Sequence, residues 1–386
     1  MVGAVMLGLP QAKAYHRGRR MSARAALRSA GLEPIRLGAK EAMAITNGTT
    51  FMAALGVFAL RDAELLMETA TGAAGLSLEA IRGEKDAFAT LIHNARPHPG
   101  QKRAAAAIRR MISGSRRMTA TAQRYRWGDG ANDDRPAADH IHETGAVRVQ
   151  DRYSFRCVPQ VHGPVLEAID RLRDILEIEI NSAVDNPLVT VDRRGRFRSV
   201  SGGNFHGQPL AVAFDSLKIA LTSVGLLSNK RTFSLLDRFQ SYGLPQDLAA
   251  SPADGDTGLM LAQYAAAARA AESRVLATPA SVTSISTSAN QEDFVSMGSI
   301  GVLHLRKVIY NTQVIVGIEL LCALRALQMS EEWLPAKLRG LGKGTEPIYR
   351  YLGELLPPVD GDHYLKSDID AVVDEVRAGT LTGLGV

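Results

Sequence analysis

A chain of 386 residues, 46% hydrophobic but only 5% aromatic, can bury a large core, and its abundant alanine and leucine favour helix over sheet. The formal charge of +5 comes from charges mostly mixed along the chain, so it is only a faint sign of anionic partners. Two cysteines far apart, Cys157 and Cys322, speak against a disulfide framework or a structural zinc site and fit a reducing cytoplasm.

The chain opens on an apolar run that ends at Pro10. Ala12-Lys13-Ala14 has the look of a cleavage site, but no basic segment precedes the run, so it is not read as a secretory leader. Residues 1–9 predict a helix stub, hydrophobic from its first residue, that looks like the continuation of something absent. No apolar stretch reaches the length of a membrane span. Residues 16–40 are basic and read as a solvated face and loop. Arg17, Arg19, Arg20, Arg24 and Arg28 lack interleaved aromatics and any groove-reading motif, which disfavours nucleic-acid binding.

Residues 40–70 and 76–94 predict helices, His93–Gly100 a turn, and 101–124 a further helix. Residues 125–149 show no periodicity and predict a loop. Asp133, Asp134, Asp139, His140, His142 and Glu143 are of metal-ligating type, but nothing there fixes a geometry, and no metal is expected. After Pro164, placed in a first helical turn, Val165, Ile169, Leu172, Leu176, Ile180 and Ala183 form a seam at steps of three and four. Asp185-Asn186-Pro187 stops that helix. A β-like stretch covers Leu188–Val200, with a turn at Arg193–Arg196. After Pro209 the pattern returns in Leu210, Phe214, Leu217, Leu221 and Val224. Residues 258–277 and 298–328 predict two more helices, the second apolar enough to be buried. Two or three shorter helices follow. The fold class is all-α, an elongated multi-helix bundle. Residues 1–330 make its central part, and 331–386 add C-terminal helices to the same body.

Three polar clusters precede three of these helices: QDRYSFRC at 150–157, SGGNFHGQ at 201–208 and TSANQEDF at 287–294. Helix starts present unpaired N–H groups and a positive dipole end, so convergent starts would favour an anion such as a carboxylate. Each cluster holds more polar groups than a cap can use. Arg156 can clamp a carboxylate bidentately, Tyr153 offers a phenol, and Gly202-Gly203 allow close backbone approach. Asn47-Gly48, inside an apolar helical run, is locally costly and points to packing or function.

These stretches resemble the histidine/phenylalanine/tyrosine ammonia-lyases, the aromatic amino acid lyase family. The resemblance is carried by AGLEPIRLGAKEAMAITNGTT, QDRYSFRCVPQVHG, EINSAVDNPLV, SGGNFHGQPLA, PASVTSISTSANQEDFVSMG and GTEPIYRYL, in family order. It implies an all-α, homotetramer-like assembly with active sites shared among chains at the poles of a helical core. In that family an internal Ala-Ser-Gly becomes methylidene-imidazolone (MIO), the electrophile. A tyrosine on an N-terminal loop is the base, ammonia leaves and an α,β-unsaturated acid forms. Carried over, Arg156 matches the carboxylate-binding arginine and Tyr153 the tyrosine that assists at the prosthetic group. Asn47 matches the asparagine that orients substrate or prosthetic group, with Gln150 a neighbouring polar contact. Phe205 matches the aromatic near that group, and Glu292 with Gln291 the residues facing the amine and ring.

The departures are as specific. The chain contains no Ala-Ser-Gly; Ser113-Gly114-Ser115 and Ser201-Gly202-Gly203 lie in other contexts. The N-terminal loop tyrosine has no counterpart. Arg152 stands where proline is common, and Phe294 where histidases usually carry histidine. The expectation is a cytoplasmic lyase subunit, inactive alone, that supplies substrate-binding residues to an oligomer while a partner chain brings the Ala-Ser-Gly and the base tyrosine. Three alternatives stand beside it: a truncated piece of an ordinary lyase, an inactive paralogue used as scaffold or regulatory subunit, and an aminomutase. Glu292 can accept a hydrogen bond from an imidazole and leans towards histidine; Phe294 leaves tyrosine or phenylalanine open.

Overall fold

The computed structural model describes residues 2–124, 150–250, 255–356 and 361–385. The predicted loop at 125–149, with its six metal-type side chains, lies outside them. A short helix, α1 (Val2–Met6), leads into an antiparallel hairpin of β1 (Lys13–His16) and β2 (Arg19–Ser22), then α2 (Ala23–Ser29). The basic segment is thus not all loop. Its two-residue tip, Arg17 and Gly18, has positive φ at both positions, the turn geometry whose twist matches that of paired strands. The Ser22 hydroxyl accepts from the Ala25 amide and caps α2.

After α3 (Glu41–Thr46), α4 (Thr50–Ala80) runs as one helix through the break expected at 70–76. Thr69–Gly75 is wholly buried, and Gly72 and Gly75 lie close against Ile348 and Thr345. Close packing of small residues there outweighs the helix cost of glycine. The helices expected over 76–94 and 101–124 are shorter: α5 (Thr90–Ala95) and α6 (Pro99–Met111), the latter ending before Ser113-Gly114-Ser115. A four-residue helix, α7 (Tyr153–Arg156), runs directly into α8 (Val158–Ile180). Pro164 is therefore not in the first turn. Pro159 takes that place, where no amide hydrogen is needed, and Pro164 sits further along on the exposed side. α6 and α8 touch backbone to backbone: a Cβ on Gly100 would stand 2.2 Å from the Gly163 carbonyl oxygen, so no side chain fits at the crossing.

The α8 seam buries Val165, Ile169, Leu172 and Leu176 but stops there; Ile180 is 58% exposed. A hairpin of β3 (Leu188–Val191) and β4 (Phe197–Val200) follows, where the β-like stretch was expected. In α9 (Gln208–Leu236) all five seam residues are buried. α10 (Met260–Leu276) precedes α11 (Gly298–Ser330), which is buried all round from Asn311 to Leu324 and packs on α4, α9, α10 and α13 (Leu365–Ala378). α12 (Thr345–Leu355) packs on α4. One apolar cluster joins residues of α4, α8, α9, α11, α12 and α13.

Three segments, Glu41–Ala80, Gln208–Leu236 and Gly298–Ser330, are by length and composition apolar enough to cross a membrane, contrary to the sequence reading. Scattered polar residues interrupt each apolar run, which hid their mean hydropathy. The apolar windows of the last two are 61% and 89% buried within the protein, and that of the first only 22%.

Candidate active site

The three polar clusters do not converge within one chain. Gln208, the first residue of α9, is the last of the second cluster, while Lys230, Phe233 and Ser234, near the other end of α9, line a cavity with the first. A helix rises about 1.5 Å per residue, so about 35 Å of α9 separates them. The expected residues therefore form two groups at opposite ends of the bundle.

At the C-terminal end of α9, Gln150, Tyr153 and Arg156 line a cavity of about 580 Å3. The Arg156 guanidinium lies 4.7 Å from the centroid of the Tyr153 ring. Its buried Nε has no hydrogen-bond partner, and no carboxylate among the described residues pairs with it. Tyr153 is 70% exposed. Asp151 and Arg152 do other work. Asp151 is buried and accepts the Glu84 amide at 2.6 Å; Arg152 donates to the Gln240 carbonyl at 3.2 Å. All six polar residues of 150–156 line the cavity; the side chains of Asp151 and Arg152 are spent on its wall.

Sequence reasoning missed what fixes α7. Arg231, fully buried, donates to the Ser154 carbonyl at 3.2 Å and forms a two-pronged pair with buried Glu319 at 2.6 and 2.8 Å. Ser77 and Ser228 donate to the same carboxylate at 2.7 and 2.6 Å. The pair is thus matched and hydrogen-bonded, the condition under which buried charge is tolerated. The signal was a lone glutamate in the apolar run VIVGIELLCAL. His162, beneath the same region, is fully buried, and burial, aided by the Arg231 charge, pushes its pKa down to about 3.

At the other end, Asn47 caps α3, its amide donating to the Met43 carbonyl at 2.8 Å. Gly48 follows at φ +78°, and a Cβ there would stand 2.2 Å from the Val184 carbonyl oxygen. Positive φ and close approach explain the costly Asn-Gly. Lys40 pairs with Asp185, and the Asn186 side chain accepts from Ser201 and Gly202. The His206 ring stacks on Phe294 at 5.8 Å, with Nε2 3.2 Å from the Phe294 carbonyl oxygen. These bonds tie the segment that carries Asn47 to 184–185, residue 186 to 201–202, and the segment that carries Phe205 to that of Gln291 and Glu292. Phe205 is 40% exposed. The Glu292 carboxylate accepts the Thr287 hydroxyl at 2.7 Å. Between them Ser288, Ala289 and Asn290 all have left-handed φ, 48° to 68°. Such conformations are costly for residues other than glycine and concentrate at functional turns. Gly202 and Gly203 have no neighbour within 4 Å of a notional Cβ, so that surface is open.

The family pattern described as aromatic amino acid lyase matches residues 1–354, across both groups. The chain belongs to the aromatic amino acid lyase family. Within it, the chain is 39% identical to a histidine ammonia-lyase of Koribacter versatilis, the match covering 98% of this chain and 69% of that protein. It is 40% identical to a histidine ammonia-lyase of Caldanaerobacter subterraneus subsp. tengcongensis, covering 98% of this chain and 67% of the relative. The fold matches the histidine ammonia-lyase structure from Trypanosoma cruzi with a TM-score of 0.82 at 34% identity, over 99% of this chain and 66% of that one. A tyrosine aminomutase from Streptomyces globisporus matches with a TM-score of 0.84 at 32% identity, over 99% and 70%. The chain thus spans about two thirds of the length of these family members.

Proposed function

We propose that the chain is a subunit of an amino acid ammonia-lyase, acting on histidine or on tyrosine or phenylalanine, that supplies substrate-binding residues while a partner chain bearing Ala-Ser-Gly supplies the electrophile and the base tyrosine. The observation that carries this reading is the separation of the two polar groups along α9. No amino acid spans that distance, so a complete site takes one group from each of two chains. The exposed apolar flank of α4, with Phe51 and Phe58 at 57% and 60% exposure, favours an oligomer.

The residues present suit MIO: Tyr153 has no hydroxyl partner among the described residues, Asn47 holds no partner by its side chain, and Phe205 is open. When bound, MIO supplies the electrophile that lets the amine leave. Everything else falls to the chain. Arg156, whose guanidinium lacks an anion, binds the substrate carboxylate bidentately. Gln150 orients it. The Tyr153 phenol, beside a cation, holds or passes a proton. Asn47 and Phe205 position the reacting groups, and Glu292, with Gln291, accepts hydrogen bonds from the amine or an imidazole N–H. The likeness to histidine ammonia-lyases at 39% and 40% identity favours histidine. The likeness to a tyrosine aminomutase favours the second reading, re-addition of ammonia at the β-carbon. An inactive scaffold has no use for a half-buried arginine without an anion, which disfavours that alternative. Two free cysteines accord with a cytoplasmic setting.

The purified chain, incubated with histidine, tyrosine or phenylalanine, is expected to release no ultraviolet-absorbing unsaturated acid. Release should begin when an Ala-Ser-Gly-bearing chain is added. Turnover by the chain alone would sink the division of labour.

A further inference from the structure

The cavity that holds Arg156 carries more positive charge than one substrate carboxylate needs. Its lining includes Arg152, Arg156 and Lys230 against a single acid, Asp151. That acid faces the Glu84 amide, and Arg152 is engaged with the Gln240 carbonyl. Two cations are left. Arg156 is half-buried; Lys230 is exposed, at the rim, and its ammonium group has no hydrogen-bond or ion-pair partner among the described residues. Their relative placement is fixed from inside. Arg231, the next residue after Lys230, is locked to Glu319 and bonded to the Ser154 carbonyl in the turn that carries Arg156. The Ser234 hydroxyl, with one proton to give, lies 3.0 Å from the Lys230 carbonyl oxygen and 3.2 Å from the Gln240 side chain.

We propose that Lys230 is a further substrate-binding residue, a second cation that draws the carboxylate of an α,β-unsaturated acid or its parent amino acid to the cavity mouth and shares it with Arg156. This rests on the reading of Arg156 as the carboxylate site. Arg156 uses its planar fork on the anion; Lys230, a flexible point charge, reaches it from the rim. The charge of Lys230 also steers anions at a distance, so its contribution falls with salt.

The test is calorimetric titration of the full chain with trans-cinnamate, an α,β-unsaturated carboxylate, and with cinnamamide, its uncharged counterpart. Lys230→Met is expected to weaken cinnamate binding about three- to tenfold, leave cinnamamide unchanged and flatten the salt dependence. Lys230→Arg should keep both affinity and salt dependence. If Arg156→Ala weakens cinnamate while Lys230→Met does not, Lys230 is merely solvated and the proposal fails, with the carboxylate site intact. If neither variant weakens binding, or the wild-type chain takes up no cinnamate, the carboxylate reading of the cavity falls as well. Equal loss of cinnamate and cinnamamide in Lys230→Met would mark a packing role and also overturn the proposal.

Discussion

Arg152 and Arg156 lie one helical turn apart and have opposite roles. Arg152 spends its guanidinium on the Gln240 carbonyl, whereas Arg156 has only the Tyr153 ring. In an active complex, Arg156→Ala should cost about 2–4 kcal/mol of transition-state stabilisation, roughly 30- to 1000-fold in kcat/KM. Arg152→Ala removes one wall contact and should cost about 1 kcal/mol, less than tenfold. Tyr153→Phe should cripple turnover and leave the circular dichroism unchanged, since the ring still stacks while the proton-bearing oxygen is gone. Equal losses for the two arginines, measured as kcat/KM, would mean that the turn at 153–156 serves capping alone. The excess of polar groups in QDRYSFRC was legible in the sequence because a cap uses only one. The division among them was not, because the partners of Asp151 and Arg152 lie 67 and 88 residues away.

Elements were legible where a single period decides them. The seams of α8 and α9 follow steps of three and four because one face of each packs on the core. The unbroken α4 and the basic hairpin were not legible, since the first depends on what packs against Gly72 and Gly75 and the second on strand pairing. α8 also carries a pH dependence. His162 is buried, neither ring nitrogen has a hydrogen-bond partner, and its folded pKa of about 3 lies well below the 6.5 of an ordinary histidine. Below pH 6.5 the unfolded chain binds a proton that the folded chain refuses. The contribution is therefore full above that pH and is lost as pH falls towards 3, by at most about 1.4 kcal/mol per pH unit. Buried Glu79 works the other way. Burial raises its pKa from 4.5 to about 7, so its contribution is full below 4.5 and is lost as pH rises through 7. The two contributions oppose each other between pH 4.5 and 6.5, so thermal melts should show little net change there, and His162→Phe, which leaves only the share of Glu79, should make the midpoint rise as pH falls. The same profile in the variant as in the wild type would contradict the part given to His162.

At the scale of the molecule, exposed apolar side chains recur at 2–58, 178–219 and 261–310, and the first of these stretches includes whole helices without a buried residue. α1 and α3 bury no residue, and the first half of α4 exposes Phe51, Val57 and Phe58. Hydrogen exchange of the isolated chain should show weak protection over residues 2–60, rising when an Ala-Ser-Gly-bearing chain is added. Full protection in the lone chain would remove the need for a covering partner.

The sequence showed three polar clusters before three helices, but not that α8 and α9 carry the first two to opposite ends of the bundle. Direction in space appears only once the helices are packed. The claim that two chains build each site is tested most directly by complementation. Arg156→Ala, which disables one group, and Glu292→Gln, which disables the other, are each prepared with the Ala-Ser-Gly-bearing chain, alone and co-assembled, and the unsaturated acid is followed in the ultraviolet. Each variant alone should be nearly inactive. The mixed assembly should recover about a quarter of wild-type turnover, because random mixing leaves some sites with both groups intact. A mixture no more active than the sum of its parts would place both groups in one chain's site and contradict the account.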